Sequence, residues 1–153
     1  MVRTRLAANS DSRLIYELRN DELARQMSHT SDFIEWEGHS KWFASSLKNK
    51  HLLLLICEDE DTAQQVAVVR FDVESDRAFI SINLSPLMRG KGEAKNCLKS
   101  ALGFFAEFCP NVSHVDAEIK LVNVASKRSF EGVGFLRIRE ELDMLLYEYR
   151  VKN

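Results

Sequence analysis

The segment from residue 77 to residue 121 constrains the fold most, because a long amphipathic helix lies there between two strands. Residues 77–83 and 114–121 have strand-like patterns, and apolar and polar side chains alternate strictly in the second run. A strand, a helix and a strand in succession predict a right-handed crossover that makes the two strands parallel neighbours. The apolar stripe of the helix, at 92–108, consists of Ala94, Cys97, Leu98, Ala101, Leu102, Phe105 and Phe108.

Most of the remaining sequence predicts antiparallel pairing. Acidic turns at 59–61 and 74–76 separate three strand-like runs at 51–58, 65–73 and 77–83, which predicts a meander. The fold class is therefore mixed α+β, with seven strands in the order β-α-α-β-β-β-α-β-α-β-β and a mostly antiparallel sheet. The other predicted elements are a strand at 2–7, a helix ending near Asn20, a helix from about Glu35, a helix at 123–132, a strand from Gly134 and a last strand at 144–150.

The composition is that of one ordinary globular domain. A length of 153 residues suits a single core, and 45% hydrophobic with 29% charged residues is not the composition of a disordered chain. We therefore expect one domain over residues 1–153. The formal net charge of −2 argues against a broad surface for nucleic acid or anionic membrane, so we expect neither as a partner.

The sequence predicts a cytoplasmic location. The N-terminus lacks the apolar stretch of a signal peptide, and the longest apolar run, at 52–57, is far below the roughly 20 residues that span a bilayer. Cys57, Cys97 and Cys109 lie in apolar surroundings without metal-ligand spacing. They therefore indicate reduced core thiols and no metal site.

The loop between the strand at 77–83 and the long helix is a candidate anion site. The first N–H groups of a helix lack partners within the helix, and the helix dipole is positive there, so a phosphate can bind. Gly90 and Gly92 permit close approach, and Arg89 and Lys91 add positive charge. The alternative is an ordinary turn with exposed basic residues. The glycine spacing matches neither a Walker A loop nor a Rossmann fingerprint.

Two motifs in this order resemble those of the GNAT acetyltransferases. The first is similar to the family's Gln/Arg-x-x-Gly-x-Gly/Ala loop, which holds the coenzyme A pyrophosphate, and reads Arg89-Gly90-Lys91-Gly92-Glu93-Ala94. The second resembles the Asn-x-x-Ala/Ser…Tyr-x-x-x-Gly-Phe segment that follows the fifth strand, here residues 123–135. The resemblance implies acetyl-CoA as cosubstrate, no metal, and a coenzyme site formed by Leu84, Arg89, Gly90, Lys91, Gly92, Glu93, Ala94, Asn123, Ser126 and Phe130.

The resemblance also implies how the reaction proceeds. The fourth and fifth strands would splay apart around acetyl-CoA, and an amine would attack the thioester directly in a ternary complex. Backbone groups around Asn83 and Leu84 would pair with the pantetheine arm and polarise the thioester carbonyl. Many family members have a tyrosine that protonates the departing thiolate, but this chain has Phe130 there. Tyr147 and Tyr149 are possible substitutes.

The amine must lose a proton before it attacks, which requires a base near the fourth and fifth strands. The catalytic candidates are Asn83, Glu118 and His39, with Ser81, His114 and Asp116 as further possibilities. The polar side chains of the strand at 114–121 could equally face solvent. His39 could equally be a hydrogen-bonded core histidine, because it shares a helix face with apolar side chains.

The N-terminal third resembles acetyltransferases that act on amino sugars attached to nucleotide carriers. The similarity rests on Arg19-Asn20 and on His39-x-x-Trp42-Phe43, with further likeness at 69–72. It implies Arg19 (or Arg25) pairing with a diphosphate and the rings of Trp36 and Trp42 stacking on a sugar or base. Core packing is the alternative for both tryptophans.

Two other functions remain open at the level of sequence. The first is acetylation of a protein N-terminus or a ribosomal protein, and the second is an inactive module that only binds acetyl-CoA. We expect a small-molecule amine as the partner of the site. The C-terminal strands could pair between subunits, which makes a homodimer possible.

Overall fold

The computed structural model describes residues 1–28 and 32–151. Its strands are β1 Val2–Leu6, β2 Leu52–Asp59, β3 Gln65–Glu74, β4 Arg77–Leu84, β5 His114–Lys120, β6 Leu136–Glu141 and β7 Met144–Arg150. Its α-helices are α1 Ser12–Asn20, α2 Glu22–Met27, α3 Trp36–Ser46, α4 Glu93–Phe108 and α5 Val124–Gly132. Within the described ranges no helix is both long enough and apolar enough to cross a bilayer.

The seven strands form one mixed sheet in the order β1-β2-β3-β4-β5-β7-β6. All neighbours are antiparallel except β4 and β5, which are parallel. The mixed α+β class, the meander β2-β3-β4 and the parallel crossover pair predicted from sequence are confirmed.

The parallel pair is joined along only part of its length. Pairing runs from Arg77 with His114 to Phe79 with Asp116 and then stops, although both strands continue. The far ends of β4 and β5 therefore diverge and leave a gap between them. This is the splay that the family resemblance implied.

Each face of the sheet is covered by a different set of helices. On one face α4 packs on the main core, where the rings of Phe71 and Phe105 stack with centroids 4.1 Å apart. On the other face, side chains of α1 and α3 such as Ile15 and Phe43 pack on Leu54 of β2. Successive side chains of a strand point to opposite faces of the sheet, so neighbouring residues of one strand belong to the two different cores. The second face stays accessible over β4 and β5, where Phe79 is 40% exposed.

The structure differs from the sequence predictions in local detail. Helix α2 was not predicted because none of its side chains is buried, so it has no apolar period to detect. Strand β6 begins at Leu136 and not at Gly134, since Gly134 has a φ of +109° that ends the preceding helix turn. Trp36 and Leu47 share the helical spacing of the buried His39 and Phe43, but they are 40% and 37% exposed because they lie at the two ends of α3.

Candidate active site

The loop before α4 has the backbone shape of an anion-binding turn. Gly90 and Gly92 have φ values of +75° and +74°, the left-handed region that favours glycine. Gly92 is the N-cap of α4, so the unpaired N–H groups of the first helical turn follow it directly. Lys91 is exposed between the two glycines, and Ala94 lies in the first helical turn. The loop therefore combines a helix N-terminus with a positive charge and fits a phosphate.

Arg89, which begins the loop motif, makes a long-range ion pair. Its Nη2 lies 2.5 Å from Oδ2 of Asp21, which is also the N-cap of α2 and accepts the N–H of Ala24 at 3.0 Å. Burial alone would raise the pKa of Asp21, but the hydrogen bonds from Arg89 and from Ala24 hold it below its usual value. The carboxylate is therefore ionised at neutral pH.

The backbone of β4 offers hydrogen-bonding groups to the gap. The N–H of Ser85 donates to the Val66 oxygen at 2.8 Å, so by alternation the backbone of Asn83 also faces β3. The backbone groups of Ile82 and Leu84 then point toward β5, beyond the last paired residue, Phe79. The backbone of Leu84 thus faces the gap, whereas Asn83 presents only its side chain to the accessible face.

The closed end of the gap is held by a forked ion pair. Arg77 of β4 donates to both carboxylate oxygens of Asp116 on β5, at 2.7 and 2.9 Å. It also donates to Glu148 of β7. A guanidinium that bridges three neighbouring strands fixes the point at which β4 and β5 separate.

A row of side chains crosses the accessible face at the level of the gap. Arg70 on β3 pairs in register with Ser81 on β4, and Glu118 on β5 pairs with Leu146 on β7. When the parallel register of Phe79 with Asp116 is continued, Ser81 and Glu118 reach the same level on opposite sides of the gap. An exposed carboxylate thus lies beside the place where β4 and β5 part.

Glu118 also lines a cleft of about 620 Å³ on this face. Phe79, Met144 and Leu146 provide apolar walls, and the lining includes five carboxylates but only two arginines. Arg77 pairs with both Asp116 and Glu148, so its single positive charge offsets only one of the two carboxylates, and Arg139 pairs with Glu141. The remaining excess of negative charge favours a cationic ligand such as a protonated amine.

His39 does not have the geometry of a general base. It is fully buried, its Nε2–H donates to the carbonyl oxygen of Ser12 at 3.0 Å, and its Nδ1 accepts from Nη1 of Arg19 at 3.1 Å. Burial, together with the nearby charge of Arg19, lowers its pKa. Since both ring nitrogens are occupied, the catalytic role predicted for His39 is corrected to that of a core histidine that positions Arg19.

Arg19 is a half-buried cation without a carboxylate partner among the described residues. Its Cζ lies 4.0 Å from the ring centroid of Trp42, and Cζ of Arg70 lies 5.4 Å from the same centroid. Burial and the neighbouring charge of Arg70 lower the pKa of Arg19. Trp36 packs edge-on against Tyr16 at 5.0 Å and lies 5.5 Å from the ring of His39, which in turn lies 5.8 Å from Trp42.

The second motif, residues 123–135, spans α5. The Asn123 side chain accepts the N–H of Ser126 at 3.2 Å, so Asn123 caps the helix. Phe130 is only 3% exposed and packs edge-on against Phe135 at 4.9 Å. Its ring is part of the core, whereas the start of α5 is exposed, and the coenzyme contact of Phe130 stays a prediction.

Both tyrosines of β7 lie on the main-core side of the sheet. The Tyr147 hydroxyl donates to Oε2 of Glu131 at 2.6 Å, and burial with this pairing raises its pKa to about 12. Tyr149 stacks on Phe135 with centroids 5.1 Å apart and is half-buried. The Tyr147 hydroxyl is thus engaged on the α5 side of the sheet, although the residue also contributes to the lining of the cleft.

Sequence reasoning missed the Asp21–Arg89 pair, the Arg77 fork and the cleft. A signal for Asp21 was present, because aspartate followed by Glu22-Leu23-Ala24 is a common start of a helix. The Arg77 contacts join residues 39 and 71 positions apart. No local pattern can predict such pairs, since they depend on strand register.

The geometry of the gap and the loop agrees with what known proteins indicate. The Acetyltransferase (GNAT) domain family matches residues 2–136, so the chain belongs to the GNAT acetyltransferase family. The predicted family, the enzyme class and acetyl-CoA as the donor are thereby confirmed. The chain has no significant sequence match among the curated proteins.

Solved structures share the fold at low sequence identity. Spermidine N-acetyltransferase from Vibrio cholerae, in complex with CoA and spermine, has a TM-score of 0.88 at 16% identity, covering 98% of this chain and 95% of that one. Aminoglycoside acetyltransferase AAC(6')-Ib, in complex with coenzyme A, has a TM-score of 0.82 at 15% identity and the same coverages, 98% and 95%. A domain from Methanocaldococcus jannaschii has a TM-score of 0.81 at 18% identity, with 98% of both chains covered. The finer resemblance to enzymes of nucleotide-linked amino sugars stays a prediction.

Proposed function

We propose that this protein transfers the acetyl group of acetyl-CoA to a primary amine of a small molecule in the cytoplasm, within a ternary complex. The observation that carries the proposal is the gap between β4 and β5, which opens after Phe79 and Asp116. A glycine-containing loop with two left-handed residues follows the β4 side of that gap. An extended thioester arm fits between the strands when its pyrophosphate is at the loop.

Residues 89–94 hold the pyrophosphate in this proposal, and the unpaired backbone of Ile82 and Leu84 holds the arm. Acetyl-CoA supplies the acetyl group as an activated thioester. A backbone N–H of β4 that donates to the thioester oxygen stabilises the negative charge that develops there during attack. Asn123 faces the arm from the start of α5.

Glu118 is the proposed general base, because it is exposed beside the gap and lines the acidic cleft. Its carboxylate accepts the proton of the acceptor ammonium, directly or through water, and the free amine then attacks the carbonyl carbon as the C–S bond breaks. The half-buried side chain of Asn83 on β4 lies on the same face of the sheet as Glu118 and orients the acceptor. Neither Phe130 nor the Glu131-bound Tyr147 provides an acid, so the thiolate takes its proton from water. A thiol has a pKa near 8.5, which makes this exit feasible.

The acceptor class we favour is an amino sugar carried on a nucleotide. Arg19 supports it, because this half-buried cation stacks on Trp42 and lacks a carboxylate partner among the described residues. A diphosphate would supply the missing charge, and the amine would lie over the acidic cleft. Trp36, exposed at the edge of α3, could border the base or sugar.

The carboxylates of the cleft favour a second acceptor class, polycationic amines. Spermine occupies the V. cholerae enzyme that shares this fold, and kanamycin occupies AAC(6')-Ib. Such acceptors would use the negative charge of the cleft and make no use of Arg19.

Initial rates of thiol release with acetyl-CoA test the proposal. The acceptor panel is a UDP-linked and a CMP-linked amino sugar, spermidine, kanamycin and one N-terminal peptide. Saturable turnover of an amino-sugar nucleotide that is lost in Arg19→Met supports the favoured acceptor. Saturation by spermidine selects the second class, and the peptide selects a protein acceptor. Tight acetyl-CoA binding without turnover of any amine would indicate an inactive binding module.

A further inference from the structure

Helix α2 crosses the open end of the gap and is attached at both ends. Its N-cap, Asp21, pairs with Arg89 in the loop that follows β4. Near its other end, the Gln26 carbonyl accepts from Nζ of Lys120, the last residue of β5, at 2.8 Å. Because β4 and β5 are parallel, Arg89 and Lys120 lie at the same end of the diverging pair. The helix is therefore fixed to both sides of the gap.

The tether at Arg89 is the stronger of the two. The Asp21 and Arg89 side chains are only 20% and 31% exposed, whereas the Lys120 contact is on the surface. None of the six residues of α2 is buried, and other contacts of the helix, such as the bond from Arg25 Nε to the Asn20 carbonyl at 3.1 Å, are not made with the loop before α4. The Asp21–Arg89 pair therefore links the position of α2 to that of the Arg89 side chain.

Arg89 has donors to spare. A guanidinium carries five N–H groups in a planar fork, and Asp21 contacts only Nη2. The other N–H groups can bind a pyrophosphate oxygen without breaking the pair to Asp21. The arginine also lies between the carboxylate and the phosphate, so it offsets the repulsion between those two negative charges.

We propose that Asp21 is a positioning residue that couples coenzyme binding to the placement of α2 across the acceptor side of the gap. This inference rests on the proposed function, because it requires the pyrophosphate to bind at residues 89–94. A bound pyrophosphate fixes Arg89, and Arg89 then fixes Asp21 and the start of α2. By reciprocity, the ion pair that orients Arg89 strengthens coenzyme binding.

The test uses Asp21→Asn with Glu22→Gln as the matched control. Asparagine removes the charge but keeps an oxygen that can cap α2. The control makes the same chemical change one residue later, at an exposed carboxylate. Coenzyme A is the probe, and the two measurements are its Kd by titration calorimetry and hydrogen exchange of the peptide 22–28 with and without it.

In the wild type and in Glu22→Gln, saturating coenzyme A should slow exchange of this peptide at least threefold. In Asp21→Asn the Kd should rise roughly threefold to tenfold, since the lost ion pair is only partly buried. Exchange of 22–28 at saturation should then be unchanged by the ligand. A mutant with wild-type Kd and wild-type protection would overturn the coupling. Absence of coenzyme A binding to the wild type would instead refute the proposed function.

Discussion

The left-handed backbone of Gly92 predicts that replacement by alanine has opposite effects on the free energy of unfolding at Gly92 and at Gly103. In Gly92→Ala, the new Cβ would meet no atom within 4 Å, so the cost comes from the backbone alone. An alanine at a φ of +74° costs about 1 to 2 kcal/mol, partly offset by a smaller loss of chain entropy. We expect the free energy of unfolding to fall by about 1 kcal/mol.

Gly103→Ala is the matched control in the same helix. Its Cβ would also meet nothing within 4 Å, but Gly103 lies in the interior of α4 with helical geometry. Alanine should therefore raise the free energy of unfolding by about 1 kcal/mol. Equilibrium urea unfolding of the wild type and both variants measures a difference of about 2 kcal/mol between them. If both changes shift stability in the same direction, the left-handed geometry assigned to Gly92 is wrong.

Three further predictions concern the base, a tyrosine and a buried ion pair. Glu118→Gln should lower kcat about a hundredfold, and the control Glu107→Gln, at the far end of α4, should leave kcat unchanged. A wild-type kcat in Glu118→Gln would show that Glu118 is not the base. Tyr147→Phe should keep kcat within about twofold while urea unfolding shows a loss of about 1 kcal/mol, and a large loss of kcat would make this hydroxyl the acid. Burial alone would raise the pKa of Asp11, but Arg5 holds it below its usual value. The ionised carboxylate therefore contributes to the free energy of unfolding above about pH 4, and this contribution is lost as the pH falls through the pKa of the folded state. Asp11→Asn should therefore lower the free energy of unfolding by about 2 kcal/mol at pH 7 and make its decline below about pH 4 shallower. A decline as steep as that of the wild type would contradict this.

The strand and helix pattern was predictable because it is local. Helix α4 and strand β5 have strong periodicities, so their ends agree with expectation to within about one residue. Helix α2 was not predictable, since a six-residue helix with no buried side chain has no period to read. Its only sequence signal was the cap at Asp21.

The coenzyme side of the site was more predictable than the acceptor side. Residues 89–94 are contiguous, and their glycines and helix start are properties of one segment. The acceptor side depends instead on contacts between distant segments, such as Arg19 with His39 and Trp42. A pattern that marks His39 as polar on an apolar face cannot tell whether its nitrogens are occupied. Only the register of the helices on the sheet decides that.

Titration of ¹⁵N-labelled protein with coenzyme A, followed by amide NMR shifts, tests whether the coenzyme binds between β4 and the start of α4. We expect saturable shifts that are largest at Ile82, Leu84 and residues 90–95, with smaller shifts at the start of α5. The reference is α3, which packs on β2 and is separated from the gap by β3. Its amide signals should shift least in this titration. Absence of saturable shifts at millimolar coenzyme A, or shifts centred away from the β4–α4 loop, would contradict the account.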